Sequence, residues 1–530
     1  MKKIKTIKHV SLLSVLGLLL ALGACTKDFK SLNTNPNAPA FVPTAYLLSC
    51  AQKGLANFSW DRWWNGGDGM VLAQYYAENT YTTESQQFYR ANITKQYWGA
   101  FYGSGLTDPG SPNVTAAGMM NLQTIINECN ASPNLYKPSG SVNNQKAVAF
   151  ILEVWTFQLL TDVWGDIPFS QALKNVNLPQ PKYDKQSDIY NGLISLLDSA
   201  TSLIDVTKTD LQGDLMYNGN MSQWQKFANS LRLRVAIRMA DRNSALASAQ
   251  IAKALSATGG VFASNQDNAI FTFISSAPNY NPLYYDRFVS GRQDYCASNT
   301  IIDVMNNLQD GRVGYYFDSV AGTGTGGSYI GRPFGQNPGD AGTIQPAQVS
   351  QPSGWASGGA ATSIAAYPTL SATAPAVFMD YAEVQFILAE ASARGIGGLS
   401  AGSAQGYYDA AIDASYIWWT GAPASGGYHA QPNVNYTTLT GSGTTWRQAI
   451  GKQKWLALYM QGMQGWIEWR RLDFGILIQP VDGYIPPATS LPVRMLYPYD
   501  ESSLDPAGYN GALSDQGPDL QSTKVWWDMY

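Results

Sequence analysis

A twenty-residue segment from Gln145 to Trp164, QKAVAFILEVWTFQLLTDVW, sets the strongest limit on the fold because it is apolar on nearly every side of a helix. A surface helix shows only one apolar stripe, so a helix with this pattern packs between other helices. Glu153, Gln158 and Asp162 interrupt the segment too often for a membrane span. The segment therefore predicts a buried helix in a mainly helical protein.

Helical periodicity continues on both sides of this segment. Further helices are predicted at about 44–58, 114–129, 186–204, 222–240 and 243–256. A helix pair at 381–394 and 404–419, joined by a Gly-rich turn, alternates small and large residues in the manner of a tetratricopeptide unit. A last long helix is predicted from Thr445 to Arg471. The predicted fold class is mostly α, a tetratricopeptide-like helical-repeat scaffold with a loop-rich ligand-binding face and few short strands.

The loop-rich part is expected at about 261–375. Residues 321–360 alone hold 11 Gly and 4 Pro, a composition that favours turns and loops over regular structure. Loops held on a rigid scaffold are where binding residues concentrate. We therefore expect this insert to carry much of the ligand site.

The first residues are typical of an export signal. Four Lys precede an apolar stretch of 13 residues, Val10 to Leu22, which is too short to span a membrane. The following Leu22-Gly23-Ala24-Cys25 is similar to a bacterial lipobox, which predicts cleavage before Cys25 and lipidation of its thiol. The expected organisation is a signal peptide over 1–24, a lipidated flexible tether over 25–39 and a folded body over 40–530.

Charge and residue usage exclude several classes of function. Removal of 1–24 leaves 30 basic and 38 acidic residues, a net charge of −8, so nothing indicates a nucleic-acid partner. The chain has only two His, and three Cys besides Cys25, with no CxxC spacing, so neither a metal site nor a cofactor is predicted. No segment has the D-x-[DN]-x-[DN]-G spacing of a calcium loop.

The aromatic residues fall into two groups, those on predicted helices and those in irregular segments. Trp155, Trp164, Trp224 and Trp455 lie on predicted helices and are assigned to the core, and Arg470 and Arg471 are expected to bond neighbouring carboxylates or carbonyls. Aromatics in irregular segments suit ligand stacking, with nearby polar groups for directional hydrogen bonds. The predicted ligand-binding residues are Trp63, Trp64, Asn65, Asp68, Tyr284, Tyr285, Arg292 and Trp355.

A lipid-anchored glycosidase is a competing hypothesis. It needs two carboxylates about 5 to 10 Å apart on a rigid scaffold. Asp61 with Asp68, or Asp286 with Asp294, are the available pairs, and all four lie in Gly-rich or irregular segments. A further alternative is a structural surface protein without a soluble ligand.

Several motifs in order resemble the SusD/RagB family of nutrient-binding outer-membrane lipoproteins of the Bacteroidetes type. After Cys25 comes Asn33-Thr34-Asn35-Pro36-Asn37, then the W-G-D-I-P-F motif from Trp164 to Phe169. A helix from Glu383 to Ala391 follows, and later the segment from Ile450 to Arg471. The resemblance closes with Leu491-Pro492-Val493-Arg494, Tyr497-Pro498, Glu501 and Asn510.

The resemblance implies a surface-exposed, lipid-anchored binding protein of the outer membrane, without catalysis. Members capture oligosaccharides and pass them to a SusC-like TonB-dependent transporter, over which they act as a lid. An alternative within the same family is the same role for peptides. The family's ligand-contacting residues lie in variable loops, so no ligand residue is transferred from the resemblance.

Overall fold

The computed structural model describes residues 41–89, 91–103, 118–174, 178–320, 327–354 and 369–530. The predicted signal peptide, Cys25, the tether and Trp355 lie outside these residues. The main helices are α1 Thr44–Ser59, α2 Ala91–Tyr102, α3 Met119–Ala131, α4 Val142–Trp164, α5 Gln186–Leu203, α6 Met221–Arg238, α7 Ser244–Ser256, α8 Asn299–Asn307, α9 Tyr381–Arg394, α10 Ala404–Thr420, α11 Trp446–Ala457, α12 Gly462–Leu472 and α13 Pro506–Gln516.

Most predicted helices lie within a few residues of their observed bounds. One prediction is wrong: the single helix from Thr445 to Arg471 is two helices, α11 and α12, separated at Leu458–Gln461. The helix breaks because Met460 has a φ of +71°, a left-handed conformation that does not continue a right-handed helix.

Helix α4 is the buried helix that its sequence predicts. It is also the one described helix long and apolar enough to cross a membrane, but it lies almost wholly inside the protein, against α3, α5 and α6. Consecutive helices pack on each other at α4–α5, α6–α7 and α9–α10, and the last pair is the predicted tetratricopeptide-like unit. The described part of the chain is thus the expected helical-repeat scaffold.

Charged side chains are buried where the helices meet. Arg471 of α12 bonds Glu390 of α9 at 2.5 Å and Glu468 at 2.7 Å, and Glu468 also accepts an ion pair from Lys454 of α11 at 3.0 Å. Arg470 donates to two backbone carbonyls, those of Val493 and Asp162. The predicted structural role of the two arginines is confirmed, and the indoles assigned to the core, Trp155, Trp164, Trp224 and Trp455, are all buried.

Strands in the described residues are short and form four antiparallel pairs. They are β1 Tyr76–Glu78, β2 Ile167–Pro168, β3 Tyr183–Asp184, β4 Ala269–Phe271, β5 Tyr295–Ala297, β6 Phe317–Asp318, β7 Gln351–Pro352 and β8 Ala376–Met379. The pairs are β1–β5, β2–β3, β4–β8 and β6–β7. Five of these strands lie between 261 and 379, so the predicted loop-rich insert is held to the helices by small ribbons.

The W-G-D-I-P-F motif closes α4, as expected. Gly165 has a φ of +85°, and a side chain there would collide with Gln516, so glycine is required. Asp166 accepts a hydrogen bond from the backbone N–H of Gln186 at 2.8 Å. The motif therefore joins the end of α4 to the beginning of α5, and Pro168 lies in β2.

Candidate functional site

A cavity of about 240 Å³ lies where four parts of the chain meet. These are the residue after α1, the β4–β8 ribbon, the last turn of α10 and the turn between α11 and α12. The lining residues are Trp60, Ile270, Thr272, Thr369, Thr373, Ala374, Pro375, Val377, Asp380, Trp418, Trp419, Ala457, Tyr459, Met460 and Gln461. We call this the aromatic cavity. A concave, mostly apolar site with a few polar groups is the usual form of a small-molecule site.

Four aromatic rings form its walls, from Trp60, Trp418, Trp419 and Tyr459. Trp418 and Trp419 are both half-buried. Neighbouring helix positions point about 100° apart, so the pair covers a wide arc. Trp419 packs 5.7 Å from the ring of Tyr459, whose hydroxyl donates to the carbonyl of Tyr316 at 2.9 Å. The aromatic walls are therefore held in place before any ligand arrives.

Two polar side chains meet on the same wall. Asp380 precedes α9 and accepts from the N–H of Glu383 at 2.7 Å, while its second oxygen accepts from Gln461 Nε2, also at 2.7 Å. Burial and the nearby Glu383 carboxylate raise the pKa of Asp380 to about 6. Gln461 Oε1 is buried and has no hydrogen-bond partner within the described residues. The cavity thus presents one carboxylate and one unused amide oxygen among aromatic rings.

The turn that carries Tyr459, Met460 and Gln461 is held from outside the cavity. Asn65 donates from Nδ2 to the carbonyl of Met460 at 3.1 Å, and its Oδ1 accepts from the N–H of Gly462 at 3.2 Å. Tyr76 adds a contact from its hydroxyl to Met460 Sδ at 3.3 Å. A non-glycine residue at positive φ costs about 1–2 kcal/mol, so these contacts stabilise a backbone shape that would otherwise relax.

The Gly-rich sequence around Asn65 makes this clamp possible. Residues Arg62–Gly69 form a π-helix that packs against α12. A Cβ on Gly69 would lie 2.8 Å from the backbone nitrogen of Met463, and one on Gly462 would lie 2.3 Å from the carbonyl carbon of Gly69. Only glycine at both positions allows the two backbones to approach closely enough for Asn65 to span them.

Three predicted ligand residues are buried and lie outside the lining of the aromatic cavity, so their contact with a ligand stays a prediction. Trp64 is 1% exposed and packs edge-on against Tyr97, with ring centroids 5.0 Å apart. Asn65 and Asp68 are 2% and 3% exposed. The segment that carries them folds inward as a π-helix rather than remaining a loop. Asn65 positions the cavity wall instead of forming it.

The other predicted residues lie on a second, shallower surface. Trp63, Tyr284, Tyr285 and Arg292 are half-buried, and the two segments that carry them meet through an ion pair between Arg62 and Asp286 at 3.3 Å. Arg292 bonds Asp294 at 2.6 Å. Their contact with a ligand stays a prediction, and Trp355 lies outside the described residues.

The carboxylates considered for glycoside hydrolysis are each engaged locally or buried. Asp61 caps the π-helix by accepting from the N–H of Trp64. Asp286 bonds Arg62, and burial raises its pKa to about 6. Asp294 is held by Arg292. These contacts stabilise the fold where two irregular segments join.

The residues of the aromatic cavity were missed by sequence reasoning. Trp418 and Trp419 were assigned to the helix of a repeat, and Tyr459 and Gln461 to the interior of a long helix. One signal was available: adjacent helix positions point about 100° apart, so two neighbouring tryptophans on a helix without apolar residues all round indicate a second surface. Asp380 gave no signal beyond that of a helix cap.

Comparisons with known proteins agree on the family of this architecture. A family profile described as "Starch-binding associating with outer membrane", of the SusD-like type, matches residues 36–498. No curated protein sequence matches the chain. Among solved structures, a chitin-binding protein is 26% identical, with a TM-score of 0.70 over 92% of this chain and 99% of its own.

Two further structures show the same fold. A chitin-binding SusD homologue from Flavobacterium johnsoniae is 24% identical, with a TM-score of 0.71 over 92% of this chain and 98% of its own. A SusD homologue from Bacteroides uniformis is 24% identical, with a TM-score of 0.72 over 92% of this chain and all of its own.

Proposed function

Because this chain belongs to the SusD-like family of starch-binding proteins that associate with the outer membrane, we propose that it captures oligosaccharides in the aromatic cavity for uptake. In this proposal the protein is a lipid-anchored binding protein at the cell surface, without catalysis. It passes its ligand to a SusC-like TonB-dependent transporter, over which it acts as a lid. Cys25 is the proposed lipidation site.

The observation that carries the proposal is the composition of the aromatic cavity. Flat indole and phenol faces complement the apolar faces of a pyranose ring, and Asp380, Gln461 and the threonine hydroxyls can bond its hydroxyls. Its volume of about 240 Å³ is below the usual range of about 300–1,000 Å³ and suits one ring of a chain rather than a whole chain.

The rest of an oligosaccharide would extend over the neighbouring surface. The surface with Trp63, Tyr284, Tyr285 and Arg292 is the second proposed contact. The 26% identical relative is named for chitin binding, which favours β-linked hexosamine chains as the first ligands to test.

Calorimetric titration with matched tetrasaccharides tests the proposal. We expect saturable binding that Trp419→Ala weakens by tenfold or more, because a stacked ring is lost from the wall. Trp446→Ala is the matched control, since Trp446 lies outside the cavity and stacks on the guanidinium of Arg447 at 4.6 Å. Binding of a peptide digest with no saccharide bound would contradict the proposal and favour the peptide alternative.

The transporter partnership needs a separate experiment. The tagged, full-length chain would be purified in mild detergent from outer membranes of its own host, and its partners identified by mass spectrometry. A SusC-like barrel in stoichiometric amount is expected. Recovery of the lipidated chain from the membrane without any barrel would contradict the lid role.

A further inference from the structure

Asp380 is a buried carboxylate without a cation. It is 8% exposed, and among the described residues no Lys, Arg or His side chain forms an ion pair with it. The guanidinium of Arg234 lowers the pKa of Asp380 through its charge, but its two hydrogen bonds to a carboxylate go to Glu383, the shorter at 2.5 Å. The group formed by Asp380, Glu383 and Arg234 therefore carries one net negative charge beside the cavity.

A buried charge without an ion-pair partner is costly, and the hydrogen bonds that Asp380 accepts within the described residues come from neutral donors. The Glu383 N–H and Gln461 Nε2 each give one hydrogen bond to Asp380. Each carboxylate oxygen can accept more than one hydrogen bond, so Asp380 can still accept hydrogen bonds from a ligand. A ligand that brings a positive charge would supply the missing partner.

The aromatic rings favour the same kind of ligand. Trp60, Trp418, Trp419 and Tyr459 surround the cavity. Aromatic faces attract cations, and enclosures of several rings are the common way in which proteins bind ammonium groups. No Lys, Arg or His is among the residues that line the described cavity, so nothing there repels a cation or attracts an anion.

The cavity has enough hydrogen-bond acceptors for an ammonium group. A primary ammonium has three N–H donors and no acceptor. The cavity offers Asp380, the unpartnered Gln461 Oε1 and the hydroxyls of three threonines, Thr272, Thr369 and Thr373. A neutral hydroxyl would satisfy one of these acceptors but would leave the charge of Asp380 uncompensated.

We propose that the aromatic cavity selects a saccharide ring that carries a free ammonium group, as in a glucosamine unit, over the neutral hydroxyl or acetamido ring of the same linkage. Asp380 is the residue that determines this specificity, and the aromatic rings enclose the charged ring. Anionic sugars are disfavoured by the same charge. This inference rests on the proposed binding of oligosaccharides in the cavity.

The test is a calorimetric comparison of three β-1,4-linked tetrasaccharides: the glucosamine tetramer, the N-acetylglucosamine tetramer and cellotetraose. The purified protein is held at pH 6.5, where the amine and Asp380 are both substantially charged. We expect the glucosamine tetramer to bind at least tenfold more tightly than either neutral tetramer. In Asp380→Asn this preference should fall to less than threefold.

Asp303→Asn is the matched control, because it removes the same charge from an exposed position of α8. It should keep the full preference. The comparison among ligands on the unaltered protein does not depend on any variant, so a folding defect in Asp380→Asn would leave the main measurement intact.

The outcomes separate this inference from the proposed function. If the neutral tetramers bind as tightly as the glucosamine tetramer, or if Asp380→Asn weakens all three equally, the ammonium specificity is refuted while oligosaccharide binding stands. If none of the three binds, both are refuted for this cavity.

Discussion

Replacement of Asn65 by alanine should weaken both the fold and the ligand site, although this side chain lies outside the lining of the aromatic cavity. The substitution removes two hydrogen bonds, one to the carbonyl of Met460 and one from the N–H of Gly462. Both partner groups stay in the interior beside residues that are 8% exposed or less. Each buried polar group left without a partner costs about 1–3 kcal/mol, so for the two groups we expect a loss of about 2–6 kcal/mol in the free energy of unfolding.

The effect on binding follows from the left-handed backbone at Met460. Once Asn65 no longer holds it, this residue gains about 1–2 kcal/mol by relaxing, and Tyr459 and Gln461 on either side move with it. The contact between Gln461 and Asp380, 2.7 Å long, is then lost from the cavity wall. Because 1.4 kcal/mol is a tenfold change in affinity, we expect saccharide binding to weaken about tenfold.

A matched variant separates the two effects. Asn229 is also 2% exposed, and its Nδ2 donates to the carbonyls of Thr258 and Gly260 at 3.2 and 2.8 Å, away from the cavity. Asn229→Ala should lose a comparable stability in urea unfolding but keep the calorimetric affinity for the tetrasaccharide. Equal affinities of the Asn65→Ala variant and the unaltered protein would refute the positioning role of Asn65.

Three further predictions concern burial, charge and anchoring. Burial alone raises the pKa of Glu153 to about 8. Between about pH 4.5 and pH 8 the folded state therefore keeps a proton that the unfolded state has released. The stability of the folded state falls as pH rises through that range. Glu153→Gln should therefore gain stability relative to the unaltered protein across that window, by up to ~1.4 kcal/mol per pH unit; a difference independent of pH in urea unfolding would contradict this. Arg471→Met removes the buried guanidinium that joins Glu390 to Glu468 and should cost about 3–5 kcal/mol by the same measurement. Arg447→Met, at a partly exposed pair with Asp241, should cost about 1 kcal/mol or less. Equal losses would show that burial does not decide the contribution of these ion pairs to stability. Cys25→Ser should move the protein from the membrane to the soluble fraction of its host, and unchanged membrane retention would rule out Cys25 as the lipid anchor.

The helices were predictable because their signals are local. The periodicity of Gln145–Trp164 and the capping side chains of α6, α7 and α9 lie within each element or next to it. Prediction from local sequence pattern failed at Leu458–Gln461. The helical pattern continues there in the sequence, but the chain turns. The break depends on Asn65 and Gly69, nearly 400 positions earlier, and no local pattern records that contact.

The aromatic residues also divide into those whose position has a local sequence signal and those whose position depends on tertiary packing. The sequence by itself determined the helical class, the core position of the helix tryptophans and the resemblance to one family. Only the tertiary structure decided that Trp64 faces the core, that Asn65 supports a wall, and that Trp60, Asp380, Trp419 and Tyr459 enclose one cavity. The physical reason is that a helix is stabilised by neighbours three and four residues away. A cavity is formed by side chains from separate elements, and its lining depends on how those elements pack.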